Sequence, residues 1–357
     1  MGIGRELRRV VEFRPSPRRW PIALNGAIAL ALPAVTLTLA GQPTLGLVAS
    51  NGAFLALYLG DRPLLHRARR LPLIGAGLFA SAALAVLVAP FPVLTTVLIA
   101  AIAIAAAVLT VGLRVGPPGS VFFAMVPGVM ASMVAPAEDG GAGLDAGPLL
   151  GVLALGLVVA YLVVVAPLAV PAVLRRARSE PPPAPLRFEV GRESRIVLTR
   201  VVVALALAAA VSIPLGSHRS YWVVVTVVAV LQSGIHRRLT TVRAANRILG
   251  TVLGAGIFLV VALIDLDGVV LILVLAALQF CVELVIVRHY GLALVFITPL
   301  ALLVAVRHPG VSAGAVVAER ILDTALGAVL AVVVLVAEFV LERRAARPGA
   351  GRDAPVG

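Results

Sequence analysis

The side chains that could do chemistry in this sequence are few, and they stand in apolar surroundings. Gln279 and Glu283 lie four residues apart inside an apolar run, which puts both on one face of a helix. Arg320 and Asp323, three apart and next to Glu319, can share a face in the same way. An ionisable group in such a run is costly and is kept for a partner, an ion path or a proton relay. Two readings stay open for each cluster. Glu283 is a proton carrier in coupled export, or an ion pair with Arg247 or Arg288. Arg320 is an anion contact, because its planar fork matches a carboxylate with two hydrogen bonds, or a structural partner of Asp323. Arg219, beside Tyr221 and Trp222, is the outer rim of an anion path with aromatics to stack on its ligand. The other reading is an interfacial belt with a snorkelling Arg. Gln232, Arg237 and Arg238 would form the opposite, inner mouth. Positive rings at both mouths favour anions over cations.

Other chemistries are poorly served. All 30 basic residues are Arg and none is Lys. That leaves no Walker A lysine to reach a terminal phosphate and no Schiff-base lysine. Cys281 is the lone cysteine and sits in an apolar run, so no intrachain disulfide or metal cluster is expected. No zinc motif or nucleophile elbow is present. The expectation is a protein that is not an enzyme, with no cofactor and no metal.

The elements that must position these residues are membrane helices. The chain of 357 residues is 61% apolar and only 13% charged, with a mean hydropathy of +1.07. A soluble domain is about one-quarter charged. The formal net charge of +13 would suggest nucleic acid in a soluble protein. Here the Arg residues flank apolar runs, so the lipid bilayer is the expected partner and nucleic acid is not. A span needs about 20 apolar residues. Candidates fall at 21–40, 44–60, 71–89, 93–113, 120–135, 148–174, 196–215, 220–234, 248–264, 268–287, 290–306 and 321–341. The expected fold is all-α, a polytopic membrane protein of about twelve transmembrane helices. The candidate 220–234 has only 15 residues, so it must thin the bilayer, borrow flanking residues or pack inside the bundle. A last helix beginning near Val311, instead of at Arg320, would carry Arg320 and Asp323 well inside the membrane.

Sidedness follows from Arg. With both termini in the cytoplasm, 27 of the Arg residues face inward and only Arg219, Arg307 and Arg320 face outward, as the positive-inside rule requires. A plasma-membrane location with a retained first helix is expected, since no small-x-small cleavage site follows it. Residues 175–194 turn abruptly to Pro, Arg and Glu and read as a stiff cytoplasmic linker. They separate a first membrane half, 21–174, from a second, 195–342, between an Arg-rich segment 1–20 and a tail 343–357. The halves repeat their landmarks in order. GDRPLLHRARRLPLIGAG from Gly60 parallels GIHRRLTTVRAANRILGTVLGAG from Gly234, and RVGPPGSVFFAMVP from Arg114 parallels RHYGLALVFITP from Arg288. Two six-helix repeats in the same orientation are expected, related by an axis along the membrane normal. Gly250, Gly254 and Gly256 suit close helix packing, and Pro33, Pro127, Pro214 and Pro299 kink or end helices.

Four stretches of the second half carry a resemblance: YWVVVTVVAVLQSG at 221–234, RAANRILGTVLGAGI at 243–257, ELVIVRHYGLALVFITPLALL at 283–303, and RILDTALGAVLA from Arg320. In this order and spacing they resemble the fusaric acid resistance protein-like (FUSC) family, related to aromatic acid exporters. The first half matches only through the internal repeat. The resemblance implies a transport-type helical bundle whose relatives expel aromatic carboxylic acids. The plant aluminium-activated malate transporters are similar in their membrane part, as dimers of six-helix units that pass organic anions along a basic pathway. That implies a pseudo-dimer within one chain, or a homo-oligomer. The short linker departs from relatives that carry a large cytoplasmic domain.

The expected function is export of small organic anions, driven by membrane potential or proton exchange. The pathway would use Arg219, Tyr221, Gln232, Arg237, Arg247, Gln279, Glu283, Arg320 and Asp323. The rival expectation is a non-transporting scaffold that recruits partners through its Arg-rich inner surface.

Overall fold

The computed structural model describes residues 13, 15, 18–181, 187–214, 221–232, 237–264, 266–305 and 312–345, with the side chains of 237–239 and 345 outside the description. Among these residues the regular structure is helical throughout. The first set comprises α1 (Trp20–Leu39), α2 (Pro43–Ala49, continued as a 3-10 segment Ser50–Leu57), α3 (Leu64–Leu87), α4 (Pro92–Gly112), α5 (Val121–Val134) and α6 (Ala146–Val165). After the short α7 (Pro171–Ser179) comes a second set. It comprises α8 (Arg192–Ser212), α9 (Tyr221–Leu231), α10 (Arg237–Ala262), α11 (Gly268–Val285), α12 (Tyr290–Ala305) and α13 (Ala313–Ala345).

The all-α reading holds, and the expectation of about twelve transmembrane helices, several of them short, is met in part. Among the described residues, eight helices, α1, α3, α4, α6, α8, α10, α11 and α13, are long and apolar enough to cross a membrane. Four apolar helices are shorter: Pro43–Leu57, Val121–Val134, Tyr221–Leu231 and Tyr290–Ala305. The short ones hold the second and fifth places in each set of six. Burial explains how a short one survives. In α9 (YWVVVTVVAVL) every residue except Trp222 is buried. A helix apolar on all sides is a core helix. Its length need not match the bilayer because protein, not lipid, surrounds it.

The long helices show the opposite pattern. Helix α1 exposes Leu24, Ile28 and Leu32 at four-residue spacing, and α10 exposes Leu249, Leu253, Ile257 and Val260. Continuous apolar stripes of this kind are unstable in water and suited to hydrocarbon. Together with the long apolar helices they make this a multi-pass membrane protein.

Several boundaries differ from expectation for local reasons. The candidate at 148–174 ends as an α-helix at Val165, turns through Ala166–Ala169 and restarts as α7. Pro167 and Pro171 lack the N–H that a continuous helix would need. Helix α7 runs into the expected linker, and α8 begins at Arg192 before it ends; residues 182–186 lie outside the described residues. The last helix begins at Ala313, so Arg320 and Asp323 sit about 10 and 15 Å into it at the helical rise. Pro33, Pro127 and Pro299 lie inside helices, whereas Pro214 follows the end of α8.

Helix pairing sets up the interior. Helix α1 packs on α11 of the other set, and α4 packs on α8. Within the sets, α3 packs on α5 and α10 on α12. Glycines permit the tightest approaches. A Cβ at Gly156 of α6 would collide with the Ala49 carbonyl at the end of α2. A Cβ at Gly327 of α13 would come 2.7 Å from Thr226 of α9. Gly250 and Gly254 press α10 on Gly291 and Thr298 of α12, as packing glycines should, while Gly256 meets nothing within 4 Å.

Candidate functional site: a basic wall in a central cavity

A cavity of about 770 Å³ opens between the two sets of helices. One wall is basic and comes from α9, α10, α12 and α13. Arg247 on α10 is only 4% exposed. Its Nε donates to Thr226 Oγ1 at 3.1 Å, and its Nη1 donates to the Tyr290 hydroxyl at 2.6 Å. One turn earlier, Arg243 donates from Nε to the Ala229 carbonyl at 2.7 Å. Its guanidinium carbon lies 3.9 Å from the centroid of the Tyr290 ring. Tyr290 therefore spaces two cations, one at its hydroxyl and one on its face.

Arg320 completes this wall and differs from the other two. Its guanidinium lies 3.5 Å over the Trp222 ring, a cation–π stack. It is 3% exposed, and among the described residues none of its three guanidinium nitrogens has a hydrogen-bond partner. Arg247, Tyr221, Asp323 and Tyr290 lie within electrostatic reach of it. A buried guanidinium with five donors and no acceptor is an expensive arrangement. It is what a site for an incoming anion requires, because the ligand then brings the missing acceptors.

The facing wall, from the first set, is mostly apolar, with Ser50, Asn51, Thr110 and Ser132 among its polar side chains. Phe54 and Phe122 stack there with ring centroids 4.2 Å apart, with Leu57 and Met125 beside them. The cavity therefore offers cations on one side and aromatic and aliphatic surface on the other.

Most of the residues expected from the sequence meet at this cavity. Tyr221, Gln232, Arg247, Gln279, Glu283, Arg320 and Asp323 all line it. Arg219 lies outside the described residues, and so does the side chain of Arg237. The partner expected for Glu283 is corrected. It pairs with neither Arg247 nor Arg288 but with Arg19, just before α1. Arg19 Nη2 donates to Glu283 Oε2 at 3.2 Å and Arg19 Nε to the Glu283 carbonyl at 3.2 Å. Gln279 stands on the same face of α11, beside Gly26 of α1. Gln232 ties the two sets together: Nε2 donates to Ser120 Oγ at 2.7 Å and Oε1 accepts from the Ser120 N–H at 3.1 Å. Gln232→Ala is expected to cost about 1–2 kcal/mol through these two bonds. A lowered thermal midpoint in detergent would show it.

Sequence reasoning missed Tyr290 and Arg19. Tyr290 stood in the RHYGLALVFITP stretch, and its place between Arg243 and Arg247 depends on α10 and α12 packing together. Nothing local marks Arg19, whose partner is 264 residues away.

The helices and the cavity define the class of this chain. Its class is a multi-pass helical membrane protein with a basic central cavity. Residues 201–334 match the family described as fusaric acid resistance protein-like, which bears out the resemblance read from the sequence. That stretch contains the whole basic wall and none of the apolar one. Over 148 residues, 41% of the chain, the protein is 32% identical to the uncharacterized membrane protein YvaC of Bacillus subtilis (strain 168). The matched part spans 23% of that relative's length. No solved structure matches the chain.

Proposed function

We propose that this protein is a plasma-membrane transporter that lets organic anions, aromatic carboxylates among them, leave the cell through the central cavity. One observation carries the reading: the buried Arg320 guanidinium lines the cavity with no acceptor among the described residues. Arg243 and Arg247 continue the basic wall along α10. With both termini in the cytoplasm, Arg19 and Glu283 lie toward the inner end and Arg320 and Trp222 toward the outer. An anion would then meet cations along its path. An inside-negative potential drives one negative charge outward by about 2.3 kcal/mol per 100 mV.

The same reading takes residues 21–174 and 195–342 as two repeats in one orientation, a pseudo-dimer within one chain, joined by a cytoplasmic linker at 175–194. Corresponding contacts recur in both halves. Arg67 of α3 donates to the Ala56 carbonyl at 2.6 Å, as Arg243 of α10 donates to Ala229. Gly156 and Gly327 make the same close approach from the sixth helix to the second. An ion pair joins the start of the first helix of one half to the end of the fourth helix of the other, once as Arg19–Glu283 and once, with charges exchanged, as Glu189–Arg114.

The test is flux of benzoate from liposomes that carry the purified protein, under a potassium diffusion potential. The reading predicts flux that follows the potential. A folded protein that passes no anion would favour a scaffold that captures partners on its Arg-rich inner surface.

A further inference from the structure

We infer that the corner between α3 and α7 is a binding site for an anionic phospholipid, whose phosphate the arginines hold while its chains cover the apolar surface beside them. This site is separate from the central cavity and does not depend on transport. Six guanidinium groups gather on these two helices and just before α3. Arg62, Arg69 and Arg70 lie within electrostatic reach of His66, in the first turn of α3. Helix α7 packs on α3 and brings Arg175, Arg176 and Arg178. Five of the six are exposed, and Arg62 is half-buried. Among the described residues none of the six is in an ion pair. The acids closest in sequence do not neutralise them. Asp61 lies within reach of the buried Arg67, and Glu180 is a single exposed charge after α7.

The level at which the cations stand distinguishes a lipid from another polyanion. The Tyr161 hydroxyl of α6 donates to the Ala68 carbonyl of α3 at 3.2 Å, which holds the two helices side by side. The residues that follow this contact are Arg69 and Arg70 on α3 and the exposed Leu162 on α6. Leu73 follows Arg70 by three residues, on the same face, and is 69% exposed. Cation and open apolar surface thus adjoin within one helical turn, about 5 Å. A nucleic acid would use the cations alone, whereas a phospholipid has a group for each. Helix α7 suits the same boundary, with Val173, Leu174 and Ala177 turned inward on one face and its arginines turned outward. With the Arg-rich end inward, as the positive-inside rule requires, the site faces the cytoplasmic leaflet. Arginine clusters beside a membrane helix attract acidic lipids there, and the guanidinium fork grips a phosphate with two hydrogen bonds.

The experiment counts lipid bound to the detergent-purified full chain by native mass spectrometry, with phosphatidylglycerol and phosphatidylcholine of identical chains. Wild type is expected to hold phosphatidylglycerol at least about tenfold more tightly. Arg69→Gln/Arg70→Gln/Arg175→Gln/Arg176→Gln is expected to lose that preference. Arg192→Gln/Arg195→Gln/Arg343→Gln/Arg344→Gln removes the same charge at the start of α8 and the end of α13, and is expected to keep it. If the first variant does not fold, Arg175→Gln/Arg176→Gln on the exposed face of α7 is read instead, with a smaller loss. Wild type without a preference, or equal losses in the two fourfold variants, would overturn the inference. So would displacement of the lipid by micromolar inorganic phosphate or a DNA oligonucleotide, which would assign the arginines to a soluble anion.

Discussion

Replacing Arg320 by Ala is expected to lower potential-driven benzoate flux by about ten- to a hundredfold, with little change in stability. A hydrogen bond to a charged group is worth about 1.5–3 kcal/mol, which spans that range. The stability half of the expectation separates the two readings open at Arg320. If the guanidinium were chiefly the structural partner of Asp323, its removal would leave a buried charge uncompensated and cost about 3–5 kcal/mol. The structure argues otherwise, because no guanidinium nitrogen has a hydrogen-bond partner among the described residues. What Ala removes from the resting fold is the desolvated stack on Trp222, about 2 kcal/mol, and relief of a buried guanidinium that lacks acceptors among the described residues offsets much of it. Arg320→Lys should not restore flux, since an ammonium offers neither the flat stack nor the two-pronged fork. Flux assays and thermal midpoints on the same preparations check both halves.

The second large effect is on folding. Gly156→Val and Gly327→Val are each expected to cost about 3 kcal/mol or more, seen as a sharp drop in thermal midpoint and in yield. Gly156 approaches the backbone of α2, where a Cβ would overlap the Ala49 carbonyl. Backbone atoms cannot rotate aside as a side chain can, so the helices must separate. Gly327 meets Thr226 Cβ and the Val223 carbonyl in the corresponding place of the second half. Gly151→Ala on the same helix as Gly156 is the control. Nothing lies within 4 Å of its added methyl, and an Ala in a helix interior favours folding by about 0.5–1 kcal/mol. Similar losses at positions 156 and 327, with none at 151, would also support the equivalence of the two halves.

The long helices were legible because a bilayer imposes a length, and apolar runs bounded by Arg satisfy it. Helix α9 was legible in part. Its composition left interior packing open among other solutions, and its near-complete burial decides for that one. The convergence of Tyr221, Arg247, Arg320 and Asp323 on one cavity could be suspected from the cost of each ionisable group in an apolar run. Their arrangement could not, because it depends on how α9, α10, α12 and α13 pack. The pairing of Glu283 with Arg19 was illegible for the same reason: sequence offers near neighbours such as Arg288, while the fold brings α1 against α11. The apolar wall left no signal, since Phe54, Phe122 and Met125 look like any core residues until a cavity separates them from their surroundings.

The central claim is that an organic anion binds in the cavity beside Arg320. The sequence holds two Trp residues, and Trp222 is the one stacked on that guanidinium. In a Trp20→Phe background, Trp222 reports on the site by itself. Titration of the detergent-purified protein with benzoate should change its fluorescence saturably, and the neutral benzamide should not. No saturable change with benzoate in the folded protein, or an equal response to benzamide, would contradict the account.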